Sequence, residues 1–227
     1  MMDISAVIPA FNEEGNIEAS VAGVCSALGR LAGRYEVIVV DDGSSDRTPA
    51  LVEGLARGNA AVRLIRHPGN QGYGKALSDG FAAAAYSHVF FTDADLQFDI
   101  AELGGLLPLA ADNDLVCGYR AQKKYAFGRR ASSFCYNLLV RLLLRPGVRD
   151  VNCAFKLIKK EALSALRPRS AGFFVSAELL ARARRLGYKV AEAPVSHFPR
   201  PTGESKVRPD HIFGTLREMF SFLLGGG

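Results

Sequence analysis

Two carboxylates one residue apart, Asp93 and Asp95, directly follow the apolar run 88–92. The run indicates a buried strand, and alternate side chains of an extended chain lie on one face, so both carboxylates point the same way. Mg²⁺ and Mn²⁺ commonly take one or two such oxygen ligands and complete their shell with water and phosphate oxygens. An isolated Asp-x-Asp is more often a solvated turn, so the metal site predicted here depends on the rest of the chain.

Polar loops follow two further predicted strands. Strand 35–41 ends in Asp41 and Asp42, and strand 4–9 leads into the polar segment 10–14. In open α/β sheets, ligands bind at the carboxyl ends of the strands. Helix capping would explain one residue in each loop, but it does not explain seven carboxylates at three strand ends. These are Glu13, Glu14, Asp41, Asp42, Asp46, Asp93 and Asp95.

Strand and helix patterns alternate along the chain. Strands are predicted at 4–9, 35–41, 62–66, 88–92, 114–118, 153–158 and 189–195. Helices are predicted near 14–31, 48–57, 74–85, 101–111, 129–145, 159–166, 176–187 and 210–224. This alternation predicts an α/β fold with a mostly parallel central sheet and helices on both faces. We expect one domain over residues 1–227.

Composition narrows the class of protein. The chain has 227 residues, 48% of them hydrophobic, which is enough to bury a full core. No window holds the roughly 20 uninterrupted apolar residues of a membrane span, and the amino terminus has no signal-peptide pattern, so we expect a cytoplasmic protein. The four cysteines are scattered without a C-x-x-C pair, which indicates reduced core residues and not a disulfide framework or zinc site.

Charge is divided unevenly between the two halves. Residues 1–114 carry 7 Lys or Arg and 16 Asp or Glu, whereas residues 115–227 carry 21 and 7. The first half therefore offers carboxylates to a metal, and the second offers cations to phosphates, to a lipid surface or to nucleic acid. Nucleic acid is disfavoured, because the sequence has no recognition-helix, zinc-finger or RNA-binding signature.

The glycine-rich segment 69–75 fits G-x-x-x-x-G-K. A P-loop ATPase is disfavoured, because Ala76 stands where a magnesium-binding hydroxyl is needed. A dinucleotide fingerprint is also disfavoured, because the third glycine is missing. A glycine loop before a helix still suits a phosphate or a close backbone approach.

The chain contains four motifs in this order: 7–14 (VIPAFNEE), 39–48 (VVDDGSSDRT), Asn70-x-Gly72 and 93–97 (DADLQ). Together they resemble the ordered motifs of glycosyltransferase family 2 with the GT-A fold. A looser resemblance, to the dolichyl-phosphate mannosyltransferase branch and its bacterial polyprenyl-phosphate hexosyltransferase relatives, rests on Gly118–Arg120, Arg129–Arg130, Asp150–Lys156 and Arg200–Lys206. The chain departs from that branch at Ala154, where relatives carry glycine.

The resemblance implies roles for individual residues. Asp93, Asp95 and Gln97 would bind the metal, and Asp95, Arg120 and Glu178 would be catalytic. The acceptor phosphate would contact Arg120, Arg129, Arg130 and Lys156. The nucleotide sugar would contact Pro9, Ala10, Asn12, Glu13, Asp41, Asp42, Lys75, Asp93, Ala94, Asp95, Arg200 and Lys206. Residues 1–114 would then form the nucleotide-sugar half and residues 115–227 the acceptor half.

The implied reaction is an inverting, metal-dependent transfer of a hexose from a UDP- or GDP-sugar to a polyprenyl phosphate. A lipid phosphate is already anionic and needs no strong base. If the acceptor is instead a hydroxyl of a cell-surface glycan, Glu178 is the best candidate base. Processive synthases are disfavoured because their Q-x-x-R-W motif needs a tryptophan, and the chain has none.

Two other classes of protein are disfavoured by the sequence. A nucleotidyltransferase can share a similar sheet, but its amino-terminal glycine-rich loop with an arginine is missing. A non-catalytic membrane-binding protein is disfavoured by the presence of both Asp93 and Asp95.

Two apolar segments with scattered arginines, 131–145 and 210–224, bear on membrane binding. Either could lie at a bilayer interface, pack on the sheet or form a dimer contact. We expect peripheral attachment to the anionic inner face of the cell membrane, with a homodimer as a further possibility.

Overall fold

The computed structural model describes residues 1–121, 140, 143, 144, 147–203 and 209–225, with the side chains of the last range described from residue 213. The strands are β1 (Ile4–Ala10), β2 (Tyr35–Asp41), β3 (Val62–Arg66), β4 (His88–Thr92), β5 (Leu115–Arg120), β6 (Phe155–Lys159) and β7 (Val190–Val195). The helices are α1 (Ile17–Leu31), α2 (Thr48–Gly58), α3 (Tyr73–Ala83), a 3₁₀ turn (Ile100–Glu102), α4 (Leu103–Ala110), α5 (Lys160–Leu166), α6 (Val175–Arg185) and α7 (Pro209–Leu224).

The strands form one sheet in the order β3-β2-β1-β4-β6-β5-β7. Strands β1, β2, β3 and β4 run parallel, and β5 runs parallel to β7. Strand β6 is antiparallel to both of its neighbours, β4 and β5. The prediction of an α/β fold with a mostly parallel sheet is confirmed. Because β6 pairs with β4, the acidic and the basic halves of the chain share this sheet.

Helices cover both faces of the sheet, as predicted. Strand β1 is buried on both sides, with Val7 on one face and Ala6 and Ile8 on the other. The Val7 side packs against α3, α5, α6 and α7, and the opposite side packs against α1, α2 and α4. A strand buried on both faces reads as a continuous apolar run, which explains the sequence pattern of β1 and β2.

The parallel register brings three polar loops to one edge of the sheet. Ala10, the last residue of β1, is level with Asp41, the last residue of β2. Val7 of β1 is level with Phe91 of β4, so that strand ends at the same edge. The loops after residues 10, 41 and 92 are therefore neighbours, as the sequence predicted from the carboxyl ends of parallel strands.

Most predicted elements agree with the structure to within a few residues at their ends. The helix predicted from residue 14 begins at Ile17, because residues 11–16 form the loop at the binding edge. Most of the helix predicted at 129–145 lies outside the described residues. None of the helices in the described ranges has both the length and the apolarity needed to cross a membrane.

Candidate metal and nucleotide-sugar site

The Asp93–Gln97 loop turns sharply where β4 ends. Leu96 has φ 60°, in the left-handed region that residues with a side chain seldom occupy. The turn lets the backbone N–H of Gln97 donate to Oδ1 of Asp95 at 3.2 Å. Such backbone strain is often found where a binding site requires a particular geometry.

Asp93 and Asp95 lie close enough to affect each other's charge. Burial, together with the negative charge of Asp95, raises the pKa of Asp93 to about 7. Burial also raises the pKa of Asp95, against the opposing effects of the Gln97 N–H and of Arg200. A buried carboxylate pair that resists ionisation is stabilised by a bound cation. The donor set therefore fits Mg²⁺ or Mn²⁺.

The protein supplies few ligands to this metal site. Within the described ranges, no group of three or more His, Cys, Asp or Glu side chains could hold an ion. A hard cation would thus take Asp93 and Asp95 from the protein and its other ligands from water and from the diphosphate of the donor. The side-chain nitrogen of Gln97 donates to the Phe198 carbonyl at 3.0 Å, so a metal contact by Gln97 would use its amide oxygen.

Tyr73, a residue that the sequence did not indicate, contacts the metal site. Its hydroxyl donates to Oδ1 of Asp93 at 2.8 Å. Its ring stacks on Phe173 with the centroids 5.3 Å apart and the planes 21° apart. The hydrogen bond favours the ionised form of Asp93, opposing the pKa rise that burial causes.

The two adjacent carboxylates at the end of β2 have different surroundings. Asp41 is fully buried, and its Oδ2 accepts a hydrogen bond from the backbone N–H of Ser44 at 3.3 Å. Its Oδ1 has no hydrogen-bond partner among the described residues. A buried oxygen without a partner is costly, and a ligand N–H or O–H would satisfy it.

Asp42 is instead bonded on both of its oxygens. It accepts hydrogen bonds from the backbone N–H groups of Gln71 and Gly72, at 2.8 and 2.9 Å. Nδ1 of His67 lies 2.8 Å from Asp42, and Nε2 of the same ring lies 3.0 Å from Asp79. Asp42 therefore holds the glycine loop, whereas Asp41 keeps one buried oxygen without a hydrogen-bond partner among the described residues.

The glycine loop approaches a second backbone closely. The N–H of Gly74 donates to the Ala171 carbonyl at 2.8 Å, and a Cβ on Gly74 would lie 2.2 Å from the Ser170 carbonyl oxygen. Of the two uses expected from the sequence, a phosphate or a close backbone approach, the structure shows the second. Lys75 binds Asp79 through its Nζ at 2.5 and 2.6 Å, and its contact with the donor stays a prediction.

The loop after β1 is tied to the loop after β2. Asn12 has φ 54°, its N–H donates to Oγ of Ser44 at 2.8 Å, and its Oδ1 accepts from the N–H of Ser45 at 2.8 Å. Pro9 and Ala10 are buried in β1, and the Ala10 carbonyl accepts from the Asp42 N–H at 2.8 Å. Ala94 is likewise buried. Pro9, Ala10 and Ala94 would therefore contact a nucleotide mainly through their backbone atoms.

Arg200 reaches the same edge from the end of the chain. Its guanidinium pairs with buried Glu13, and its Nε donates to the Thr202 carbonyl at 2.7 Å. Asn16 donates both to Glu13, at 2.9 Å, and to the Thr202 carbonyl, at 3.2 Å. Asn16 was not a predicted site residue, and Thr202 was indicated only as part of the segment Arg200–Lys206, because the contacts between these two residues join distant parts of the chain.

Two predicted acceptor-binding cations have different settings. Arg120 forms a bidentate ion pair with Asp150, its Nε and Nη2 donating to Oδ2 and Oδ1 at 2.6 and 2.7 Å. Lys156 is fully buried, and its ammonium donates to the carbonyls of Val151 and Cys153. This position gives no support to a direct phosphate contact by Lys156. Its charge instead lowers the pKa of Asp93.

Glu178, the predicted base for a hydroxyl acceptor, is enclosed. Its carboxylate accepts from the N–H groups of Arg169 and Ser170, at 2.9 and 2.7 Å, and from Nε of Arg182 at 2.8 Å. These contacts make Glu178 an anchor for the segment that precedes α6. Its catalytic role stays a prediction. The predicted site residues Arg129, Arg130 and Lys206 lie outside the described residues.

Comparisons with known proteins show which family this chain resembles. The family model described as "Glycosyl transferase family 2" matches residues 5–167. Glycosyltransferase AglD of Haloferax volcanii is 35% identical over 216 residues, covering 91% of this chain and 34% of that protein. An uncharacterized protein of Methanocaldococcus jannaschii is 31% identical over 96% of this chain and 98% of its own length.

Dolichol-phosphate mannosyltransferase of Pyrococcus furiosus is 29% identical over 98% of this chain and 64% of that protein. The chain thus spans about a third of the first relative and just under two thirds of this one. Among solved structures, glucosyl-3-phosphoglycerate synthase of Mycobacterium tuberculosis, in complex with Mn²⁺ and UDP-glucose, has a TM-score of 0.74 and 26% identity. That match covers 99% of this chain and 78% of the synthase.

Proposed function

The chain belongs to glycosyltransferase family 2, and we propose that it moves a hexose, with inversion, from a nucleotide sugar to a polyprenyl phosphate, using Mg²⁺ or Mn²⁺. The observation that carries this proposal is the enclosed pair Asp93 and Asp95, which lies at the same sheet edge as Asp41, a carboxylate with one buried oxygen that lacks a hydrogen-bond partner among the described residues. That edge offers ligands both for a metal and for a nucleotide.

Donor binding follows from these groups. Asp93 and Asp95 would hold the metal, which when bound neutralises charge on the diphosphate leaving group. Oδ1 of Asp41, which has no hydrogen-bond partner among the described residues, would accept a hydrogen bond from the base or ribose of the nucleotide. Arg200, which already lowers the pKa of Asp95, adds positive charge beside the diphosphate. In the reaction, the acceptor oxygen forms a bond to the anomeric carbon while the bond from that carbon to the diphosphate breaks.

The acceptor assignment rests on the carboxylates of the second half. The buried carboxylates described within residues 115–203 are Asp150 and Glu178, and each is held by an arginine. This supports an acceptor that needs no proton removed, such as a phosphate monoester anion. Arg120, oriented by Asp150, is suited to bidentate phosphate contact once the phosphate competes for it. The similarity to a dolichol-phosphate mannosyltransferase supports the same choice.

Helix α7 supports a site at a membrane surface. Phe213, Phe220 and Leu224 are 77%, 54% and 88% exposed and recur at helical spacing. Together with the basic second half, they favour peripheral attachment to an anionic bilayer, where a polyprenyl phosphate presents its head group. We place the protein on the cytoplasmic face of the membrane.

One observation favours a second candidate, transfer to a hydroxyl. The solved neighbours include glucosyl-3-phosphoglycerate synthase with Mn²⁺, UDP-glucose and phosphoglyceric acid, at 27% identity and a TM-score of 0.72. A hydroxyl acceptor would need a base, and Glu178 would have to leave its present contacts to act as one.

Incubation with radiolabelled UDP-glucose or GDP-mannose, polyprenyl phosphate and Mn²⁺ tests the proposal. We expect label in the lipid fraction, and its loss with EDTA or in Asp95→Ala, because a metal contributes several kcal/mol to the transition state. Asp112→Ala, which removes an exposed carboxylate, is the matched control. Label that appears only on a soluble hydroxyl acceptor would refute the lipid assignment. Full activity of Asp95→Ala in EDTA would refute the metal.

A further inference from the structure

Tyr73 holds one oxygen of a carboxylate to which the proposed function gives a metal. Its hydroxyl donates to Oδ1 of Asp93, which leaves Oδ2 of Asp93 for a cation. A ligand carboxylate with one oxygen fixed in this way keeps a single orientation, and such supporting hydrogen bonds affect metal affinity strongly. The position of the Tyr73 ring therefore bears on the metal site.

The Tyr73 ring is set by a second segment, residues 168–173, which we call the clamp loop. Phe173 of this loop stacks on Tyr73. The Ala171 carbonyl accepts the N–H groups of Gly74 and Lys75, at 2.8 and 3.3 Å, so the loop caps the first turn of α3. The absence of a Cβ at Gly74 allows this approach.

Two glutamates from different helices fix the clamp loop. Glu178 of α6 accepts the N–H groups at Arg169 and Ser170. Glu218 of α7 accepts hydrogen bonds from Oγ of Ser170, at 2.6 Å, and from the N–H of Gly172, at 3.2 Å. A continuous series of contacts thus runs from α7, the helix with the exposed apolar face, through the clamp loop and Tyr73 to Asp93.

We infer that Tyr73 is a positioning residue for Asp93, and that the clamp loop makes its placement depend on the seating of α7 through Glu218. The inference rests on the proposed metal site. Neither Tyr73 nor Glu218 would touch the metal, yet both would set its affinity.

Mn²⁺ binding measured by electron paramagnetic resonance in the presence of UDP or GDP tests this directly. Tyr73→Phe keeps the stacked ring and removes only the hydroxyl, so we expect Mn²⁺ affinity to fall about 10- to 100-fold. Saturating Mn²⁺ should restore kcat, because the missing group orients a ligand and does not act on the substrate. Phe173→Leu, which keeps the hydroxyl but removes the stack, and Glu218→Gln should each give a smaller loss.

The controls are Tyr35→Phe and Glu161→Gln. Tyr35 lies at the opposite end of β2, about 20 Å from the binding edge, and Glu161 is exposed in α5. Both should bind Mn²⁺ as the unaltered protein does. Normal Mn²⁺ affinity in Tyr73→Phe would overturn the inference while leaving the metal site intact. An effect of Tyr73→Phe without any effect of Glu218→Gln would overturn the part that involves α7. If the unaltered protein binds no Mn²⁺, the proposed metal site fails and the inference fails with it.

Discussion

Asp150 forms a bidentate ion pair with Arg120 at the end of β5. Nε and Nη2 of Arg120 donate to the two carboxylate oxygens at 2.6 and 2.7 Å. We expect Arg120→Ala to raise KM for polyprenyl phosphate and to reduce transfer, because the variant removes the guanidinium that would contact the phosphate. Arg34→Ala removes an exposed arginine, paired with Asp3 at 2.6 Å, and should leave KM unchanged. Steady-state kinetics with varied acceptor measures both variants. An unchanged acceptor KM in Arg120→Ala would exclude this residue from the acceptor site.

Glu178→Gln separates the two acceptor chemistries. If the acceptor is a phosphate, kcat should fall by less than about tenfold, since no proton needs to be removed. The midpoint of thermal unfolding should fall, because the variant weakens the hydrogen bonds to Arg169, Ser170 and Arg182. Loss of a general base would instead lower kcat about 10² to 10⁴-fold. A decrease in kcat of that size, in a variant that remains folded, would favour the hydroxyl acceptor.

Metal binding should depend on pH through Asp93. Its pKa of about 7 means that a proton competes with the metal below neutrality, so Mn²⁺ affinity should rise with pH up to about pH 7 and then level off. Isothermal titration at several pH values measures this. The folding stability of the metal-free protein should change with pH in the opposite direction and fall as the pH rises. The folded state keeps a proton that the unfolded state releases, so this group contributes stability that is complete below about pH 4 and lost as pH rises through about 7.

Asp93→Asn should therefore raise the free energy of unfolding of the metal-free protein at pH 8, by roughly 1 to 3 kcal/mol, while abolishing Mn²⁺ binding. Asp112→Asn, an exposed carboxylate, should change neither quantity. Urea denaturation in EDTA provides the comparison, and equal stability of Asp93→Asn and the unaltered protein at pH 8 would contradict the raised pKa of Asp93 that burial and the charge of Asp95 cause.

Two glycines should respond oppositely to the same substitution. Gly74→Ala places a methyl group 2.2 Å from the Ser170 carbonyl oxygen, and the resulting shift of the clamp loop should cost about 1 to 3 kcal/mol. Gly23 lies inside α1 with no atom within 4 Å of the added Cβ, so Gly23→Ala should stabilise by about 0.5 to 1 kcal/mol. Urea unfolding curves decide both. An unchanged free energy of unfolding in Gly74→Ala would mean that the clamp loop can move away from the added methyl group.

The exposed face of α7 should bind lipid. Sedimentation with phosphatidylglycerol vesicles should exceed that with neutral vesicles and should weaken at high salt. Phe220→Ser removes an exposed apolar side chain from this face and should weaken binding about tenfold. Leu186→Ser removes a similarly exposed apolar residue after α6 and should have little effect. Equal binding to charged and neutral vesicles would argue for a soluble acceptor.

The sequence predicted the sheet and its acidic edge because both depend on local pattern. Strand β1 is apolar except for Ser5, since it is buried on both faces, and its last residue is aligned with Asp41 by parallel pairing alone. Carboxylates at the ends of such strands are brought to the same edge of the sheet by the strand register, independently of the loop conformations. The positions of Asp93, Asp95 and Asp41 could therefore be inferred without knowing any side-chain contact.

The supporting groups could not be inferred in the same way. Tyr73 reads as an ordinary residue at the start of a helix, and only the fold brings its hydroxyl to Asp93. Asp41 and Asp42 are adjacent and chemically identical, so the sequence left open which of them meets the nucleotide. The structure shows that the backbone N–H groups of Gln71 and Gly72 occupy the oxygens of Asp42, and the nucleotide contacts of both residues stay predictions.

The cap on α3 also has a consequence for biosynthesis. The Ala171 carbonyl that closes the first turn of α3 is about a hundred residues downstream of Gly74, so joining them costs roughly 4 kcal/mol of chain entropy. At about 5 to 20 residues per second, a ribosome makes α3 some 5 to 20 seconds before its cap. In a nascent chain, the acidic half is therefore made before the basic half, and Tyr73 cannot stack on Phe173 until the basic half has emerged. A chain cut short after β5 would carry every carboxylate of the metal site without the segment that holds one of them in place.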